Sequence, residues 1–239
     1  MVWAESLDHH GSRVHASDTG LLHQVYRRDY AEVFRRSAEL VTFTSAHAMS
    51  DHRSKGLIFR GWITAIQEDP MAGLRTLLEG LAHQRSGTAR EDFPVYLCLL
   101  AEAQMAAGLP EQGVEELRQA LPEFDRLGLQ SWRSEVLRVL GEATLAADPT
   151  AIDRADTLFG EAARIADQQG AAMLRLRTAV SMARLDLRLD RVREGARQLE
   201  TALAGIAEDD DGHDLREARS MAARLRARLG TVAAIKGPP

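Results

Sequence analysis

A triplet of residues recurs along this 239-residue chain at intervals of about 40: small, large apolar, small, spaced by four and then three. Between Ala101 and Ala120, AEAQMAAGLPEQGVEELRQA, the small Ala101 precedes a Gly108-Leu109-Pro110 turn, and Gly113, Leu117 and Ala120 follow it. Spacings of three and four share one helix face. The small residues admit a neighbouring helix closely, and the large one locks it. Earlier in the chain, Gly61 is followed by Gly73, Leu77 and Gly80. Later, Gly141 is followed by Ala155, Phe159 and Ala162, and Ala183 by Gly195, Leu199 and Ala202. A weaker copy, Ala31, Arg35 and Ala38, has an arginine at the large position. The closing residues Ala38, Gly80, Ala120, Ala162 and Ala202 lie 42, 40, 42 and 40 residues apart. One helical hairpin cannot bury its apolar side alone, so two helices per period predict a row of hairpins.

The expected fold is all-α: a right-handed α-solenoid of about five tetratricopeptide-like hairpins and a C-terminal capping helix. The period is longer than the usual 34 residues of such repeats. The repeats are expected over residues 12–47, 51–86, 91–128, 131–170 and 171–207, with the capping helix at 214–229 and a tail at 231–239. Residues 1–8 read as the end of a helix, broken by His9-His10-Gly11. Ser12, Asp29 and Asp51 are predicted N-caps, and Asp69-Pro70 opens a helix with proline in its first turn. Pro122 is expected to kink or end the sixth helix, and Gly230 to end the last. Glu208 to Gly212 reads as a solvated acidic loop that lacks the spacing of a calcium loop.

Hydrophobic residues make up 45% of the chain and aromatics only 5%, which suits cores built from Ala and Leu. The net charge of -5 argues against a general nucleic-acid binder. One cysteine, Cys98, fits a reducing compartment and reads as a small buried hydrophobe. There is no apolar run of membrane-spanning length and no signal-peptide layout, so a cytoplasmic protein is expected.

First helices of tetratricopeptide-type pairs line a concave groove. Glu135, Arg138 and Glu142 share a face at spacings of three and four, and Arg177 and Arg184 share another. Glu142 and Arg184 each follow the small residue of their helix, as Trp62 follows Gly61. These six are the candidate groove residues. The charges either clamp a peptide or pair with one another between repeats, and Trp62 is either an anchor or core. Six of the eight histidines, His9, His10, His15, His23, His47 and His52, fall early in the chain. His9 and His10 diverge and His15 and His23 are too far apart to chelate, so no metal site is expected. No nucleophile–base pair is visible, so neither catalysis nor a cofactor is expected.

Several stretches together resemble a known family: LLHQVYRRD at 21–29, GWITAIQ at 61–67, YLCLLAEAQMAAG at 96–108, SWRSEVLRVLGEATL at 131–145, LRTAVSMARL at 176–185 and DLREAR at 214–219. They are similar to the C-terminal tetratricopeptide-like region of large bacterial multidomain regulators. In those regulators a class III adenylate/guanylate cyclase or winged-helix DNA-binding domain precedes a signal-transduction ATPase. Tyr26 and Arg175 depart from the family pattern. The chain has no GxxxxGK[ST] phosphate loop and nothing like a cyclase core. The resemblance therefore implies a non-catalytic regulatory or protein-binding module, with a protein or peptide partner and room for a homo-oligomer. The alternatives are a segment of a cyclase or ATPase whose catalytic domains lie elsewhere, and a receptor for a peptide or small molecule.

Overall fold

The computed structural model describes residues 9–87, 91–206 and 211–236, with side chains through residue 230. The chain divides into two compact units, residues 1–130 and 131–239. Among the described residues all regular structure is helical. The first unit holds α1 (His10–Arg27), α2 (Tyr30–Ala46), α3 (Ser50–Gln67), α4 (Pro70–Ser86), α5 (Phe93–Ala106) and α6 (Pro110–Leu127). The second holds α7 (Arg133–Ala147), α8 (Ile152–Gln169), α9 (Ala172–Arg188), α10 (Val192–Leu203) and α11 (His213–Lys236). Helix 1–8 and most of the acidic loop lie outside the described residues.

Within each unit every helix packs on the next, and each odd-numbered helix also packs on the next odd-numbered one. Even-numbered helices bury one stripe. Odd-numbered α5 and α7 are buried without a break from Phe93 to Ala101 and from Ser134 to Gly141. A helix enclosed on every side needs an apolar sequence all round, as FPVYLCLL supplies in α5, or buried polar groups that pair with one another, as Glu135 and Arg138 do in α7.

The α3–α4 hairpin shows why its small residues are small. A Cβ on Gly61 would lie 2.3 Å from the Leu77 backbone nitrogen, and one on Gly73 would lie 2.2 Å from that of Ala65. Backbone therefore meets backbone, and only glycine fits. Leu77 is fully buried beside this contact, worth roughly 1.5–3 kcal/mol for a side chain of its size. In the second unit the small residue serves differently: a Cβ on Gly141 would lie 2.5 Å from the ring of Phe159.

The first hairpin corrects the expected register. Ala31, Arg35 and Ala38 are all exposed, and Arg35 pairs with Glu32 and Glu39. The buried set on α2 is Val33, Ser37, Leu40 and Thr44, each 40 residues before Gly73, Leu77, Gly80 and Gln84 of α4. Leu21 of α1 likewise precedes Gly61 by 40 and is fully buried. Large and small have changed places: leucine and valine stand where the second hairpin has glycine, and serine where it has leucine. The pattern is inverted, so a search for small-large-small slides two residues out of phase.

Three helix starts carry a side-chain cap, and several expected limits are corrected. Asp29 and Asp69 accept from the backbone N–H groups of Glu32 and Ala72, as expected. His9, not Ser12, caps α1, and its ring accepts from the Ser12 N–H at 3.1 Å. Met49, not Asp51, is the N-cap of α3, while Asp51 takes a hydrogen bond from Gln84. α11 passes through Gly230 to Lys236, where nothing forces a left-handed turn. α6 also continues through Pro122 to Leu127 and stops at Gly128, whose φ of 69° suits glycine.

Candidate functional site

The candidate groove residues of the second unit form one seam across α7, α9 and α11. Arg138 donates to both carboxylate oxygens of Glu135, at 2.9 and 2.8 Å. Arg177 donates to Asp214 at 2.8 Å and reaches Glu135 at 3.4 Å. Ser181 donates to Glu142 at 2.6 Å, and Arg184 reaches Glu142 at 3.2 Å and also pairs with Glu217. Glu135, Arg138 and Arg177 are 4%, 6% and 8% exposed, so they are committed to one another. The side chains of Glu142 and Arg184 keep 26% and 41% of their surface in solvent. Among the described residues of the seam, that end keeps the solvent exposure.

The seam is built by helix periodicity. Residues 135, 138 and 142 stack along α7, and 177, 181 and 184 along α9, so two rows meet along their length. Four carboxylates face three guanidiniums. Such a seam adds little net stability over apolar packing, but removing one member leaves a buried charge uncompensated.

Trp62 lies in the first unit and is 1% exposed. Its Nε1–H donates to Glu102 at 2.9 Å, and its ring packs edge-on to Tyr30 at 5.7 Å. Arg28 donates to the other oxygen of Glu102 at 2.5 Å. Sequence reasoning missed Glu102, although it follows Ala101 as Glu142 follows Gly141. The signal was the same register position, occupied in four successive first helices by Trp62, Glu102, Glu142 and Arg184.

A second polar cluster of the first unit joins α1, α3 and α5. Asp18, 5% exposed, bonds His52 Nδ1 at 2.7 Å and pairs with Lys55 at 3.5 Å. Burial raises the Asp92 carboxyl above its ordinary range against the pull of Lys55, and burial raises the Tyr96 phenol. Tyr96 donates to Asp92 over a long 3.4 Å.

Two of the clefts among the described residues bear on function. One, of about 300 Å3 in the first unit, is floored by Phe93, Leu97, Phe124 and Leu127. The other, of about 610 Å3 in the second unit, is lined by Asp153, Asp156, Asp186 and Glu194 with Arg191. Arg191 bonds Asp186 at 2.7 Å, while burial raises the Asp186 carboxyl. Cys98 is buried. Among the described residues no group of three or more His, Cys, Asp and Glu side chains is placed to hold a metal ion. Among the described residues no helix is long and apolar enough to cross a membrane.

No family model matches the chain. It is similar to an uncharacterized protein, R02095, of Rhizobium meliloti (strain 1021), at 29% identity over 194 residues. The match covers 80% of this chain and 18% of that protein. The chain thus spans less than a fifth of the length of this relative.

Proposed function

We propose that this chain is a non-catalytic scaffold of tetratricopeptide-like hairpins that binds a protein or peptide partner within a bacterial signalling regulator. The observation that carries the reading is the packing order: in each unit, hairpins follow one another and odd-numbered helices touch in sequence. That order favours a repeat array over a bundle closed around one core. The finer architecture, about five hairpins with α11 as the closing helix, rests on the 40-residue period and on the apolar face that α11 covers; a right-handed array follows from the likeness to tetratricopeptide repeats alone. The partner-facing residues we assign are those with surface left over: Glu142 and Arg184, with Glu217 beside them.

A specific observation favours a second reading, a regulatory segment of a much longer protein. The relative from Rhizobium meliloti extends far beyond the matched residues. The stretches that resemble cyclase- and ATPase-linked regulators point the same way. Affinity capture with the untagged chain and with Glu142→Ala/Arg184→Ala tests the scaffold reading. Loss of a specific partner from the variant, with unchanged helicity, supports it. Equal recovery by both forms removes the assignment of this face.

A further inference from the structure

His10 and His47 are far apart in the chain, yet the first hairpin brings them together. His10 opens α1 and His47 closes α2, and their ring centroids lie 4.2 Å apart at 80°. Both side chains are exposed. The His47 Nδ1 lies 2.8 Å from the carbonyl oxygen of Phe43, which accepts only if that nitrogen carries the proton. The lone pair is thereby left on Nε2. A histidine that donates one ring N–H to a backbone carbonyl and offers the other nitrogen is the usual form of a metal ligand. His47 is further held by stacking on Phe43, at 4.3 Å between centroids and 27° between planes. His10 makes ring contacts with Phe43 and His47, and its nitrogens take no hydrogen bond among the described residues.

From this geometry we propose that His10 and His47 form a two-imidazole site for a divalent transition metal, completed by water. With metal–nitrogen bonds of about 2.0–2.1 Å, two imidazoles on one ion have ring centroids about 4.5–5.2 Å apart, so the 4.2 Å observed leaves a small ring rotation between the resting pair and a shared metal. Divalent ions bind imidazole sites most tightly as Cu2+, so Cu2+ should exceed Ni2+ and Zn2+ in a site too poor in ligands to retain metal tightly. The guanidinium of Arg13 lies 4.9 Å from the Phe43 ring centroid and opposes a second cation nearby. Bound metal ties the start of α1 to the end of α2.

The test is calorimetric titration of the untagged full chain with Ni2+, Cu2+ and Zn2+, with a thermal melt at each end point. One metal per chain is expected, with a rise in melting temperature. His10→Asn and His47→Asn should each weaken Ni2+ by about tenfold or more, while His23→Asn changes nothing. Arg13→Ser should tighten binding. Both histidines are exposed, so neither variant threatens the fold, and circular dichroism checks this. Unchanged Ni2+ binding in His10→Asn or His47→Asn, equal loss in His23→Asn, Zn2+ binding tighter than Cu2+, or no saturable binding at millimolar metal overturns the site.

Discussion

The α3–α4 hairpin of the first unit and the α7–α9–α11 seam of the second hold helices together by opposite means. Between α3 and α4 the backbones touch through Gly61 and Gly73, and there is no room for one added carbon. Across the seam the helices meet through Glu135, Arg138, Arg177 and Asp214, long side chains that reach toward one another. The first contact is intolerant of volume and indifferent to charge. The second can absorb a change of shape and is intolerant of an unbalanced charge. Small residues therefore report where helices are close, and paired charges report where they stand apart.

The sharpest break in that comparison is Arg177→Ala. It strips Asp214 and part of Glu135 of their counter-charge at under 9% exposure, and should cost about 3–5 kcal/mol in urea unfolding. A cost under 1 kcal/mol would mean that water reaches the seam. Gly73→Ala comes next, at about 3 kcal/mol, because the atom that the added carbon meets is backbone and cannot swing away. A melting curve matching the wild type would show that the hairpin is looser than described. Replacing a pair together, Arg177→Met with Asp214→Leu, should leave stability within about 1 kcal/mol of the wild type. If the pair variant falls as far as the single one, the seam is worth more than apolar packing. The smallest effect belongs to salt. Raising NaCl into the molar range should change the Arg177→Ala deficit by under about 0.5 kcal/mol, since buried pairs are poorly screened. A large salt dependence would place the seam in solvent.

The comparison also explains what could be read in advance. The α3–α4 contact was legible because a glycine at a fixed register has few other uses. Helix limits were legible where Asp29 and Asp69 sit at starts. The first hairpin was misread because Leu21, Val33 and Ser37 exchange the sizes of Gly61, Gly73 and Leu77, and a fixed template cannot follow an exchange. The charged rows on α7 and α9 were visible as helix faces. Their pairing was one of two alternatives, because period alone does not say whether a face looks at water or at the next helix. Asp214 and Glu217 complete the seam from α11, but nothing in their local sequence points to α9. Glu102 was within reach and was passed over because its partners, Trp62 and Arg28, stand 40 and 74 residues away in the chain. His10 and His47 were unreadable as a pair, since only the closing of the hairpin brings them together.

The enclosure of α5 bears on how the chain is made. FPVYLCLL leaves the ribosome with no polar face to show to water, a hazard for any nascent segment. Its packing partners α3 and α4 are synthesised before it, and α6 follows directly. The greasiest stretch thus emerges onto a surface already waiting for it, and each later hairpin can settle locally without a distant strand to find. Order of synthesis does for this chain part of the work that a chaperone would otherwise do.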